Sequence, residues 1–334
     1  MSMRLSPIFR DNAVFAEGRP LRLFGSGSGR VSAEICGVRR EALCEGGEWE
    51  LCLPPFEAGG PYELTAELNG EKTVLRNIYF GTVILFAGQS NMEFRLEESD
   101  TAKSEYASDA RLRYFSIDRG WDFCPPVRTA DGWAEASAEN VGKWSAIGYL
   151  TGKYLRAAAG KAVGVINCSV GASVIRSWLP ADTAAKFALP DEALHPDHFY
   201  PEYAAWNVSG AIYEKMLRPY AKYSLSGAAW YQGESNAKAT ESQLYRAELE
   251  AFFAELRRLQ DNEKLKIALV QIADCDERLA WDGAGWREIQ RAQEETAQND
   301  RYCTLAVSRD ICERDCIHPP AKALLSQRIA KAFE

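Results

Sequence analysis

Ser90 stands in FAGQSNME, directly after the apolar run Val83-Ile84-Leu85, at the end of a stretch that reads as a β-strand. A serine hydroxyl attacks an ester only when a neighbouring base takes its proton, normally a histidine oriented by a carboxylate. The chain has three histidines, His195, His198 and His318. His318 has a carboxylate at the spacing of one loop turn: in RDCIHPPAK, Asp315 stands three residues before it. On one loop turn, Asp315 would accept the proton of one ring nitrogen while the other nitrogen faces Ser90. The same Asp–His pair would equally serve to cap the helix that follows, AKALLSQRIAKAF, which Pro319 and Pro320 are placed to start.

Acyl transfer also needs donors aimed at the developing oxyanion, each worth on the order of 10²–10³ in turnover. NCSVGAS (167–173) follows the strand Ala162–Ile166 and puts Gly171 where backbone can approach closely. WYQGESN (230–236) follows the strand Gly227–Ala229 and delivers Gln232, Gly233 and Glu234 at its end. The backbone amides of Ser90 and Gly171, with the side-chain amide of Gln232, would supply the oxyanion site. Taken singly, Gly171 is also an ordinary turn glycine and Gln232 a buried amide bonded to backbone. Gln89, Asn91 and Glu234 either contact substrate or hold the loops by buried hydrogen bonds. Arg176 and Trp178 would line a sugar pocket, Trp178 by stacking on a pyranose face; otherwise they are a surface cation and a packing residue. His195 and His198, flanking Asp197, have HxxH spacing, but no helix is there to hold it for a metal. A Ser–His mechanism needs neither metal nor organic cofactor, and none is expected.

These groups need a frame that brings distant segments together. From residue 81, apolar runs (83–87, 112–117, 163–167, 227–231, 266–272, 304–307) alternate with helical patterns. SAIGYLTGKYLRAAAG opens on a Ser145 cap and ends in glycine, and ESQLYRAELEAFFAELRRL repeats apolar residues at helical spacing. Continuous apolar strands with helices between them predict an α/β fold with a parallel sheet covered on both faces. In such a sheet, sites form beyond the C-terminal ends of strands, where Ser90, Gly171 and Gln232 all fall. Residues 1–80 differ: short β-rich runs separated by GSGSG, EGGE, AGGP and NG predict a small all-β sandwich. Two long segments, 118–143 and 176–202, are candidates for substrate walls or surface insertions.

Composition narrows the partners. A formal charge of −8 over 334 residues argues against nucleic acid or an anionic membrane as the main partner. No run approaches the roughly 20 apolar residues of a membrane span. The start, MSMRLSPIFRDNAVF, lacks an apolar leader core, so a cytoplasmic protein is expected. The nine cysteines are dispersed without a CxxC pair, as free thiols would be, with Cys312 and Cys316 the one candidate redox pair.

Taken together, GQSNM (88–92), SVGAS (169–173) with Ser177 and Trp178 following, WYQGESN, REIQRAQ (287–293) and IHP (317–319) resemble the sialate O-acetylesterase family. That family is a branch of the SGNH-hydrolase superfamily of carbohydrate esterases. The resemblance covers nearly the whole length, since RDNAVF (10–15) and LPPFEAGGPYEL (53–64) are similar to the β-domain of bacterial members. It implies an SGNH-type three-layer catalytic domain over 81–334, an accessory domain over 1–80, and hydrolysis of acetylated carbohydrate. By the resemblance Ser90 matches the nucleophile, His318 the base, Asp315 its carboxylate and Gly171 the second oxyanion position. The asparagine of the superfamily's third block has no literal counterpart, and Gln232 stands in its place. The turn reads VGAS where many members have GGT. The acidic residues before IHP are shifted, which makes Asp310 a second candidate for the orienting carboxylate. Two other readings remain: a non-catalytic carbohydrate-binding protein on the same fold, and a metal-dependent hydrolase using His195 and His198.

Overall fold

Alternation of apolar and polar residues makes the first part of the chain a set of short strands: β1 (Arg4–Leu5), β2 (Val14–Ala16), β3 (Pro20–Ser26), β4 (Gly29–Ile35), β5 (Val38–Cys44), β6 (Glu48–Pro55) and β7 (Gly59–Leu68). The structure, a computed structural model, describes residues 4–121, 132–187, 201–275 and 282–334. β6 buries Trp49, Leu51 and Leu53 and exposes Glu48, Glu50 and Cys52, the period of a strand with one face in the core. β1, β3 and β6 form an antiparallel sheet, while β5, β4 and β7 lead antiparallel onto β8 (Glu71–Gly88). β5 escaped the sequence reading because Arg39, Arg40 and Glu41 interrupt its pattern. It pairs with β4 alone, and charged residues suit such an edge.

β8 is the longest strand, 18 residues. Its first part pairs with β7, and from Gly81 onward it pairs with strands of the second part of the chain. The strand therefore runs unbroken through residue 80, where the sequence suggested a boundary. Buried apolar residues on both sides of that position belong to one connected core.

After β8 come α1 (Ser90–Glu93), β9 (Asp109–Ser116), β10 (Ala134–Ala136), α2 (Ala146–Ala159), β11 (Ala162–Ser169), α3 (Ala181–Ala184), β12 (Gly227–Tyr231), α4 (Ala239–Leu259), β13 (Lys266–Val270), α5 (Gly283–Asn299), β14 (Cys303–Ala306) and α6 (Ala323–Lys331). The strand order is β10-β9-β11-β8-β12-β13-β14. All neighbours are parallel except β10, which lies antiparallel on β9, so the sheet is mixed rather than purely parallel. Every residue of β11 and β12 is buried, which requires cover on both faces. α2 packs on α6, and α4 on α5.

Ser145 caps α2 as anticipated: its Oγ accepts from Gly148 N at 3.1 Å and donates to Met92 O at 2.6 Å. The cap thus also ties α2 to the segment after Ser90. The last helix departs from expectation. It begins at Ala323, and Pro319 and Pro320 stay in the preceding loop. His318 and Pro319 each precede a proline, and that position disfavours helical backbone.

Two glycines decide how β8 and β12 end. Gly88 has φ +146° and lies so close to β12 that an added Cβ would stand 2.1 Å from Tyr231 O. Gly233 has φ +153°, and a Cβ there would meet Ile289 Cγ2 at 2.6 Å. Neither place admits another residue without moving backbone or core. Gly88→Ala should therefore cost about 3 kcal/mol or more, from strain and overpacking together. A urea midpoint equal to wild type would contradict this.

Candidate active site

Ser90 opens α1 two residues past Gly88, half-buried at the end of β8. The turn is fixed from behind, because Gln89 N donates to Tyr231 O at 3.0 Å and Phe94 N to Ser90 O at 2.8 Å. His318 arrives from the loop between β14 and α6, and its Nε2 lies 2.8 Å from Ser90 Oγ. Residues 228 positions apart in the chain are thus in hydrogen-bond contact. The imidazole stacks on Phe94, with centroids 6.4 Å apart. Burial is the main cause that holds its pKa below the usual 6.5, and the Lys322 cation adds to it while Glu98 opposes.

The expected carboxylates are elsewhere. Asp315 is exposed, and no hydrogen bond or ion pair joins it to His318. Asp310 is held by Arg328 in a two-pronged contact of 2.6 and 2.7 Å, which also lowers its pKa. Among the described residues, the other ring nitrogen of His318 has no hydrogen-bond partner. Glu98 is the acidic side chain whose charge His318 feels, and it is already paired with Arg95.

Gly171 does lie beside Ser90: a Cβ built on it would be 3.9 Å from Ser90 Cβ. That distance is ordinary contact, so protein neighbours do not demand the glycine. Its N–H is occupied, donating to Glu93 Oε2 at 3.0 Å, and Glu93 is in turn paired with Arg119. The turn is shaped by Trp206 Nε1, donating to Gly171 O at 3.2 Å, and Asn207 Nδ2, donating to Ala172 O at 2.8 Å. The Ser90 N–H meets no partner among the described residues.

Gln232 is completely buried and does not face Ser90 as a donor. Its Nε2 gives one hydrogen to Ser173 O at 2.9 Å and the other to Asn236 Oδ1 at 2.7 Å. It holds the 171–173 turn, and Asn236 extends the link by accepting from Ile175 N at 3.0 Å. Gln89 Oε1 likewise accepts from Gly233 N and Ser235 N.

Arg176 and Trp178 are not pocket walls. Arg176 is buried against Glu248 at 2.6 Å and also donates to Phe187 O. Trp178 is fully buried, edge-on to Trp230 at 5.2 Å, with its Nε1 on Ser173 Oγ. An apolar ring and a charge paired in this way stabilise the second loop from inside. His195 and His198, with much of the 118–143 and 176–202 segments, lie outside the described residues. Cys312 and Cys316 are free, half-buried thiols.

Asn91 is buried and joins three segments. Its Nδ2 donates to Glu234 Oε1 at 2.7 Å and to Ile317 O at 2.9 Å, and its Oδ1 accepts from Lys322 Nζ at 2.8 Å. Lys322 is fully buried, its ammonium 4.9 Å from the Phe94 ring centre and 5.5 Å from that of Tyr231. Burial lowers its pKa to about 8, and burial raises that of Glu234. Glu93 and Lys322 escaped the sequence reading although both stand inside quoted motifs. Glu93 closes FAGQSNME and Lys322 closes RDCIHPPAK, and a charge at the edge of such a motif was the available signal.

Human (Homo sapiens) sialate O-acetylesterase is 26% identical over 311 residues, which cover 84% of this chain and 59% of the human protein. The rat (Rattus norvegicus) sialate O-acetylesterase is 24% identical over 368 residues, covering 92% of this chain and 68% of its own. The chain therefore spans about three-fifths of the length of the human relative. Among solved structures, a carbohydrate acetylesterase from Xanthomonas citri matches with a TM-score of 0.85 at 28% identity, over 99% of this chain and 74% of that one. Residues 81–334 match the family described as carbohydrate esterase, sialic acid-specific acetylesterase, and the chain belongs to that family.

Proposed function

We propose that the protein is a serine esterase that removes O-acetyl groups from a carbohydrate, a sialic acid or another acetylated sugar. The observation that carries this reading is the 2.8 Å contact of Ser90 Oγ with His318 Nε2, half-exposed just past the C-terminal end of the central strand β8. Family membership and the acetylesterase relatives support the substrate class. The catalytic part is residues 81–334, of SGNH type, with the two helix pairs forming the layers about the sheet. Residues 1–80 are an accessory β-domain joined to it through β8.

With Nε2 unprotonated, the Ser90 hydroxyl donates to it. Ser90 Oγ bonds to the acetyl carbon as His318 takes the proton, and the carbonyl oxygen becomes an oxyanion. Collapse breaks the bond to the sugar oxygen, which leaves with the proton from His318. Water then attacks the acetyl carbon as His318 takes its proton; the bond to Ser90 Oγ breaks, the proton passes from His318 back to Ser90, and acetic acid leaves and ionises in water. The oxyanion donors are the N–H of Ser90 and, once Glu93 has moved off it, the N–H of Gly171. Gln232 supports the site by shaping the turn. Asp315 does not reach His318 in this arrangement, so burial, Phe94 and the Ile317 carbonyl contact orient the ring.

Hydrolysis of p-nitrophenyl acetate and of an O-acetylated sialic acid tests the assignment. Wild type should turn over both, and Ser90→Ala and His318→Ala should each fall by at least about 10³, as loss of a nucleophile or base does. Inactive wild type would favour a carbohydrate-binding protein instead, and activity surviving in Ser90→Ala would remove the serine from the chemistry.

His318 must be neutral to accept the proton, and its pKa lies below 6.5. The rate should rise with pH through that value, with the acidic midpoint of kcat/KM below 6.5. A midpoint above it would contradict the environment described. Gly171→Ala should fold normally, since its Cβ meets only ordinary contacts. It should nonetheless lower kcat/KM by about tenfold or more by setting a methyl beside Ser90, where the acetyl group must come. Unchanged kinetics would remove Gly171 from the oxyanion site.

A further inference from the structure

Lys322 stands four residues after His318, at the cap of α6, and its side chain has no exposed surface. A buried lysine with no carboxylate in direct contact is uncommon, because its charge is costly away from water. Among the described residues the ammonium has one hydrogen-bond acceptor, Asn91 Oδ1 at 2.8 Å, and two aromatic faces, Phe94 and Tyr231. Each partner lies beside a reacting group. Asn91 follows Ser90 directly, Phe94 stacks on His318, and Tyr231 ends the strand whose carbonyl receives Gln89 N.

The Asn91 amide has a single orientation that satisfies these neighbours. With Oδ1 turned to Lys322, both Nδ2 hydrogens are left for Glu234 and for the carbonyl of Ile317, the residue before His318. A reversed amide would set N–H against ammonium and carbonyl against carbonyl. Lys322 therefore chooses the orientation in which the Ser90 segment holds the His318 segment. The proposed nucleophile and base are joined twice, by their own contact and by this bridge one residue away on each side.

We propose that Lys322 is a positioning residue of the Ser90–His318 site, locking the Asn91 bridge that sets the distance between the two. The inference rests on the esterase reading of that pair. It also gives the lysine an electrostatic consequence, since its cation opposes protonation of His318. The titratable groups near Lys322 are Cys312, Glu234, Cys316 and Asp100, and those near His318 are Lys322 and Glu98. Glu98 pulls the other way, so removing Lys322 leaves burial alone against the carboxylate and makes His318 easier to protonate.

The test is Lys322→Met, which keeps an unbranched chain of similar length and removes the donor and the charge. On a variant with wild-type circular dichroism, p-nitrophenyl acetate hydrolysis should show kcat about tenfold lower. The acidic midpoint of kcat/KM should move up by about half a pH unit. A merely structural lysine would lower the melting temperature without moving that midpoint, and an unmoved midpoint with wild-type kcat overturns the proposal. Wild-type enzyme supplies a second measurement that needs no variant to fold. In ¹⁵N-imidazole NMR, the His318 signal should show a second, smaller step near pH 8, where Lys322 titrates. Absence of that step overturns the electrostatic contact even where Lys322→Met fails to fold. If wild type has no esterase activity at all, the esterase reading fails instead, and the NMR step still reports whether Lys322 faces His318.

Discussion

The contact between Gly88 and the carbonyl of Tyr231 is the constraint from which the rest of the site is built. β8 and β12 are adjacent parallel strands, and both end where chemistry-bearing loops begin. Because Gly88 has no side chain, its backbone closes on Tyr231 and Gln89 N reaches the same carbonyl. Ser90 then emerges beside the loop 232–236 rather than above it. Gln89 Oε1 on the backbone of Gly233 and Ser235, and Asn91 on Glu234, hold the two loops as one body. His318 joins that body last, through Asn91 and the Ile317 carbonyl.

Most polar residues at the strand ends hold one another rather than face outward. Gln232, Asn236, Glu241, Arg176 and Glu248 lie beneath the second loop, each with a partner. Breaking one side of a buried pair such as Arg176–Glu248 leaves a lone charge, a loss of about 3–5 kcal/mol. Rigid support of this kind is what a nucleophile needs, since a displacement of about 1 Å can cost 10² in rate. Ser90 and His318 remain half-exposed while their neighbours Gln89 and Asn91 are buried.

Much of this was legible in the chain. The central strands were read from continuous apolar runs, because full burial removes the alternation that makes edge strands ambiguous. The pairing of Ser90 with His318 followed from elimination among three histidines. What the sequence could not reveal is direction. Trp178 and Arg176 follow a site turn closely enough to suggest a pocket, yet a 3₁₀ turn over Ile175–Trp178 aims both into the core. Gln232 occupies a position suited to an oxyanion donor, but its two hydrogens are claimed by Ser173 and Asn236, contacts that only the folded chain creates. DxxH spacing puts Asp315 near His318 along the chain, yet in the folded loop the aspartate faces solvent. Spacing identifies residues able to meet; backbone direction decides which of them do.

The Glu93 carboxylate bears on the same point. Its oxygen accepts from Gly171 N at 3.0 Å, beside Ser90, so an anionic oxygen already sits on the amide that the oxyanion would use. A donor able to hold a carboxylate oxygen at that distance has suitable geometry for an oxyanion. Yet the carboxylate's own charge opposes a second negative oxygen nearby, so the two cannot occupy the amide together. Arg119, in the segment after β9, pairs with the other oxygen of the same carboxylate. If the esterase mechanism proposed above holds, the Gly171 amide would be a donor shaped for negative charge and Arg119 the cation that keeps hold of Glu93 when it leaves. On the proposed mechanism the exchange would come at attack, when the neutral carbonyl becomes the oxyanion and replaces one anionic oxygen on the amide by another.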